Sequence, residues 1–238
     1  MRWILVLLAI TFDFWNTLYK GPPDAAVSGQ RALDVQQTLL AEGLAFDLQS
    51  LSDAFKSAWW EAYYSQRVYG RDPGPRGQVA HLIKKLGIKQ LRHPDDLYDA
   101  YTGTLMKLPP EINDGVPETL KNLGERLKLA VICNTGATPG IYLRKIMKKD
   151  KLFDYFSYLV FSDEVVCAKP DPGIFKLTVK QLGCQPEKAI HIGDDPITDI
   201  IGAKKVGMKA VWLAPGTEWR LPEADYHIKK VPELLSLV

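Results

Sequence analysis

The second half of the chain carries a rhythm that few folds accommodate. Short apolar runs occupy residues 129–133, 158–161, 189–192 and 210–213, each bounded by polar or turn-forming residues. Uninterrupted runs of this length read as strands buried on both faces. Between them the apolar residues recur at the helical period: Leu120, Leu123 and Leu127 share one face of residues 117–127, and similar patterns cover 141–147, 173–182 and 197–206, the last stopping at Gly207. Strand alternating with helix predicts an α/β, doubly wound parallel sheet with helices on both faces. In such a sheet the ligand crevice lies at the carboxyl ends of the strands.

Residues 1–10, MRWILVLLAI, imitate a secretory leader, with a basic residue before an apolar run. No small-residue cleavage site follows, and the run is too short to cross a bilayer. It is therefore read as the first strand, leading directly to Asp13.

The stretch after it breaks the rhythm, because almost every segment from about residue 24 to 108 has a helical period. Ser52 is placed to cap a helix whose Phe55, Ala58, Trp59, Ala62 and Tyr63 form one stripe. The turn-rich run at 71–76 interrupts it, helical patterns resume at 78–86 and 94–107, and Pro109 and Pro110 close the segment. The expected organisation is a helical cap at 20–109 inserted into a Rossmann-like core made of 1–19 and 110–238. The aromatic residues Trp59, Trp60, Tyr63 and Tyr64 are expected to fill the cap's interior, with a wall facing the active site as the alternative.

Thirty Lys and Arg face 28 Asp and Glu, a balance that attracts neither nucleic acid nor an anionic membrane. The expected partner is a small molecule. Three cysteines without CxxC spacing do not form a disulfide framework, which suits a reducing cytoplasm.

Four pieces far apart in sequence would meet at the strand ends. Asp13, after the first strand, is a carboxylate able to act as a covalent nucleophile. In Cys133-Asn134-Thr135-Gly136, amide, hydroxyl and backbone N–H groups could hold an anionic oxygen. Lys169, beside the Pro-stiffened turn Pro170-Asp171-Pro172, could neutralise charge on nucleophile and substrate. Finally, His191-Ile192-Gly193 leads into Asp194, Asp195 and Asp199, hard oxygen ligands of the kind that hold Mg²⁺. Three acids in six residues exceed what a helix start needs for capping.

Taken in order, DFWNTL, CNTG, AKPDPGIF and IGDDPITDIIGAKKVGMKAVWL resemble the four motifs of the haloacid dehalogenase-like superfamily. The resemblance extends over nearly the whole chain, through Asp114-Gly115-Val116 and the closing residues 224–228. It implies a Mg²⁺-dependent hydrolase with Asp13 as nucleophile. The metal would take oxygens from Asp13, the backbone carbonyl of Trp15 and Asp194, with Asp195 a further ligand or a neighbour of one. Lys169 would steady the anionic intermediate, and Asp199 would pair with it or orient water at the metal. Asn134 and Thr135 would hold the transferred group.

Two positions depart from the family pattern. Family phosphatases carry a proton-relaying Asp two residues after the nucleophile, where this chain has Trp15; haloacid dehalogenases carry an aromatic residue there but lack the carboxylate that Asp194 supplies. Cys133 stands where Ser or Thr is usual. The expected activity is hydrolysis of a small phosphorylated metabolite, or another small anion, through an aspartyl-phosphate. The alternatives are a 2-haloacid dehalogenase in which Arg31 or Arg67 takes the halide, and a metal-binding pseudoenzyme of the same fold.

Overall fold

The apolar runs become strands at Ala9–Phe12 (β1), Lys128–Cys133 (β2), Tyr158–Phe161 (β3), Ala189–Gly193 (β4), Lys209–Leu213 (β5) and Tyr226–Ile228 (β6). This is seen in a computed structural model that describes residues 7–21 and 25–238. Residues 1–6 of the expected first strand lie outside the described residues. The six strands form one parallel sheet in the order β3-β2-β1-β4-β5-β6. From β1 the chain winds outward to β2 and β3, then returns to the other side for β4 to β6. The winding therefore reverses between β1 and β4, and a crevice opens there at the carboxyl ends.

Side chains alternate across the sheet. Ile10, Phe12, Val131, Ile192 and Val211 face one layer, packed by Val116–Gly124 (α6) and Gly140–Lys149 (α7). Ala9, Ala130, Ile132, Val160 and Ala210 face the other, under Pro172–Leu182 (α9), whose Ile174, Phe175, Val179 and Leu182 are buried. The short Ser162–Val165 (α8) follows β3 directly. The expected helix at 197–206 begins instead as a wider π turn, Pro196–Ile201, before Gly202–Lys204 (α10). Such wide turns concentrate at functional sites.

Five helices are inserted between β1 and α6: Ala25–Ala41 (α1), Leu48–Tyr69 (α2), Gly74–Lys85 (α3), Pro94–Thr102 (α4) and Thr104–Lys107 (α5). They share a core of their own, with Val35, Leu39, Leu51, Leu82 and Leu97 at its centre. Two expectations are corrected here. Ser52 is inside α2 and does not cap it; Asp47 does, accepting the Ser50 N–H at 2.6 Å. The aromatic stripe is not the interior either. The buried face of α2 is Leu51, Ala54, Ala58, Ala62 and Gln66, while Trp59, Trp60 and Tyr64 are 46%, 59% and 56% exposed. Small side chains let α2 lie close against α3, and this turns the bulky rings outward.

The helical insertion touches the core at Gly70, whose φ of 63° ends α2 and whose carbonyl accepts the Ala168 N–H at 2.9 Å. A Cβ at Gly70 would stand 2.6 Å from that of Asp171. Glycine is therefore required twice over, by the left-handed turn and by the close approach.

Candidate active site

Three strand ends bring the candidate residues together. Asp13 follows β1 and is held by its backbone N–H on Ile192 O of β4, at 2.8 Å. Asp194 follows β4, and its backbone carbonyl accepts Trp212 Nε1 from β5 at 2.8 Å. Asn134 follows β2 and grips the backbone of Lys169 reciprocally: Lys169 N donates to Asn134 Oδ1 and Asn134 Nδ2 donates to Lys169 O, both at 2.8 Å. The Lys169-Pro170 peptide bond is cis.

That grip sends the Lys169 side chain, 1% exposed, between two acids. Its ammonium donates to Asp13 Oδ1 and to Asp199 Oδ1, each at 2.6 Å. Asp199 is further locked by the Asp195 N–H on Oδ2 at 3.0 Å and by His191 Nε2 at 3.2 Å from Oδ1. Burial lowers the pKa of His191 and keeps the ring neutral. A neutral ring beside an acceptor-only carboxylate carries its proton on Nε2, so Nδ1 accepts the Thr11 hydroxyl at 2.7 Å. The chain Thr11, His191, Asp199, Lys169, Asp13 is a continuous buried line of hydrogen bonds.

The electrostatics ask for a cation. Ligand oxygens of Asp13, Asp194 and Asp199 lie within 4.8 Å of one another, and three carboxylates against one ammonium leave two negative charges. Burial pushes the Asp13 carboxyl up to about 8 against the pull of Lys169, with Asp199 and Asp194 adding repulsion. Burial, then Asp199, pushes Asp194 up to about 6, opposed by Asn16, whose Nδ2 donates to Asp194 Oδ2 at 2.9 Å. For Lys169 burial opposes the charge, but Asp13 and Asp199 outweigh it and hold its proton on. Asp199 is kept ionised by Lys169 and His191 against its own burial. Among the described residues, Asp13 Oδ2 and Asp194 Oδ1 take no hydrogen bond, whereas both oxygens of Asp199 are engaged. A hard divalent ion such as Mg²⁺ fits this donor set, with Asp13 and Asp194 open to it and Asp199 behind them.

Three residues of the expected site turn their side chains to other partners. Asp195 turns from the cluster: its carboxylate accepts the Ile197 and Thr198 N–H groups at 2.8 and 2.9 Å and forms an ion pair with Arg67 of α2. That pair engages the Arg67 guanidinium. The Thr135 hydroxyl donates to Asp72 Oδ2 at 2.9 Å, and its N–H donates to Ser162 Oγ at 2.8 Å. Both donors thus tie the helical insertion to the core, where Asp72 also accepts the Ser162 hydroxyl and Gly74 N. Asn134 keeps one amide proton unengaged, the other being fixed on Lys169. Trp15 is half-buried against Phe14 and lines the space under the cap, as does Arg31. Cys133 is buried beneath the site, where desolvation and the nearby Asp13 push its thiol pKa well up, so it is no nucleophile.

Sequence reasoning gave no role to His191, Asn16 and Asp72. His191 had a signal, a lone polar ring on an otherwise apolar strand. Asp72 had only its place in a turn, and its partners are 63 and 90 residues away.

The chain matches the model of the haloacid dehalogenase-like hydrolase family over residues 7–207, and it belongs to that family. A ribulose-1,5-bisphosphate 5-phosphatase of Halopiger xanaduensis is 29% identical over 250 residues, covering 97% of this chain and 98% of that protein. A glyceraldehyde 3-phosphate phosphatase of Pyrococcus furiosus is 36% identical over 129 residues, covering 52% of this chain and 53% of that protein. Among solved structures, a HAD phosphatase from Thermococcus onnurineus superposes with a TM-score of 0.69 at 23% identity, over 97% of each chain. A 2-haloacid dehalogenase from Pseudomonas syringae pv. Tomato DC3000 does so at 0.71 and 23%, over 98% of each. Two differently named hydrolases on one backbone show that the fold alone does not choose the reaction.

Proposed function

We propose that this hydrolase is a Mg²⁺-dependent phosphatase of a small phosphorylated molecule, working through an aspartyl-phosphate on Asp13. The carrying observation is the pair of open carboxylate oxygens on Asp13 and Asp194. Their excess negative charge suits a divalent ion, and a metal-free displacement of halide has no use for it. The relatives named as phosphatases support the same reading. We further propose residues 20–109 as a cap domain over a core made of 1–19 and 110–238.

Asp13 and Asp194 would hold Mg²⁺, with the Trp15 carbonyl as a third oxygen. When bound, the ion would offset carboxylate repulsion and the charge of the phosphoryl group. The Asp13 carboxylate attacks phosphorus; the O–P bond forms as the bond to the leaving oxygen breaks, and water then cleaves the acyl phosphate, regenerating Asp13. Lys169 keeps its proton throughout and acts as a fixed positive charge beside the nucleophile. Asp199 and His191 hold that ammonium in place.

No side chain at Trp15 can protonate the departing oxygen, because an indole does not relay protons. Leaving groups that are weak bases, as in aryl and acyl phosphates, are therefore the better substrates. The aromatic residue at this position also favours the second reading, a 2-haloacid dehalogenase. Incubation with beryllium fluoride and Mg²⁺ separates the two. A stable adduct that needs Asp13 and the metal supports the phosphatase; metal-independent halide release from a 2-haloacid would replace it.

A further inference from the structure

Between the strand ends and the cap lies a cavity of about 730 Å³. Its floor is the 134–138 loop with Trp15, and its wall is made by α1, α2 and α4 through Arg31, Phe55, Trp59 and Tyr101. Among the described residues its charged lining is Arg31 and Lys56, with no carboxylate. Lys56 points to solvent, near Asp53 at 3.9 Å. Arg31 is the inner charge.

Two donors in this wall are left without acceptors. Arg31 gives Nε to the Tyr101 carbonyl at 2.9 Å and lies 5.5 Å from that ring's centroid, and no acid pairs with it among the described residues. Its two terminal amino groups remain as a fork. The hydroxyl of the same Tyr101 donates to Gln78 Oε1 at 2.9 Å. Gln78 is 2% exposed, and its Nε2 has no hydrogen-bond partner among the described residues. A buried N–H without an acceptor is rare in a folded protein, and here its residue lines a cavity that also holds a guanidinium with no acid beside it among the described residues.

We propose that Arg31 and Gln78 form a subsite for a carboxylate at the far end of the substrate, so that the preferred substrates are small phosphomonoesters bearing a carboxylate. The proposal rests on the phosphatase reading for its phosphoryl end. A carboxylate fits better than a second phosphate because one inner guanidinium matches a monoanion, whereas a phosphate near −2 would be half compensated. A carboxylate is planar and acceptor-only, and a fork plus one amide donor meets its lone pairs. Phe55, Trp59 and Leu105 line the space between the two ends and pack the connecting carbons.

Calorimetry tests the subsite without turnover, using ω-phosphono carboxylic acids of two to five methylenes and alkylphosphonates of matching length, with Mg²⁺ present. At one chain length or more, wild type should bind the acid about 10- to 100-fold more tightly than its alkyl counterpart. Arg31→Met should bring the ratio near one. Gln78→Glu keeps the acceptor for Tyr101 but replaces the amide donor, and it should also cut the ratio; it carries the test if Arg31→Met fails to fold. A wild-type ratio near one at every length, or a ratio unchanged in the variants, overturns the subsite. Turnover of p-nitrophenyl phosphate is read beside it. Turnover with a ratio of one rejects the subsite and keeps the phosphatase, while a high ratio without turnover rejects the phosphatase and keeps the subsite.

Discussion

At the strand ends Lys169 meets two carboxylates at 2.6 Å, and Asn134 closes a reciprocal pair on its backbone. In the wall of the 730 Å³ cavity, whose described lining holds no carboxylate, Gln78 has an amide nitrogen without a partner and Arg31 a guanidinium without an acid among the described residues. The core site is held rigidly by contacts within the protein. The cap site is held open by contacts it lacks. Groups that must keep one geometry through a reaction profit from saturation, because reorganisation would cost rate. Groups that recognise a ligand must keep donors for it. The cleft therefore divides its labour, with chemistry below and selection above.

The most severe way to test that division is Lys169→Met. Removing the ammonium takes from the buried Asp13 and Asp199 the cation they share, a loss of about 3–5 kcal/mol, and turnover should fall to background. Chemical denaturation and a phosphatase assay would show both. If stability stayed within about 1 kcal/mol of wild type, the core would not be the saturated network described.

Trp15 sits where the two regions meet. Trp15→Asp should raise turnover of alkyl phosphates relative to aryl phosphates, by up to about 10²–10⁴-fold, the usual worth of general-acid help. An unchanged ratio in a folded variant would show that another group already supplies the proton.

Metal and pH address the core alone. Asp13 and Asp194 have pKa values raised to about 8 and about 6 from 3.8, so without metal the folded protein keeps protons that the unfolded chain has released. Stability of the metal-free protein should therefore fall as pH rises from about 4 to 8. Mg²⁺ at a hundred times its dissociation constant should restore about 2.7 kcal/mol and flatten that slope. Melting curves at pH 5 and pH 8, in chelator and in Mg²⁺, decide it; equal slopes in both would remove the metal from Asp13 and Asp194.

The smallest effect belongs to the cap. The Thr104 hydroxyl in α5 is buried without a partner among the described residues, so Thr104→Val should leave stability unchanged or raise it by about 1 kcal/mol. A loss of about 2 kcal/mol or more by thermal melting would show that this group has a partner in solution. Not every orphan in the cap would then be an opening for a ligand.

The alternation of apolar runs with helical periods was enough to derive the parallel sheet, because strands buried on both faces and amphipathic crossover helices leave patterns within 5 to 15 residues. The strand-end rule then draws Asp13, Asn134, Lys169 and Asp194 to one edge. What the sequence could not show was direction. Asp194 and Asp195 are neighbours, yet one faces Asp13 and the other faces Arg67, because the turn after β4 aims successive side chains apart. The aromatic stripe on α2 looked like core until the alanine face met α3. Gln78 and Arg31, 47 positions apart, become one feature only when Tyr101 lies between them. Local periodicity fixes which segments form, since it depends on near neighbours; which donors end up satisfied depends on partners brought close by the tertiary fold, and no spacing along the chain encodes that.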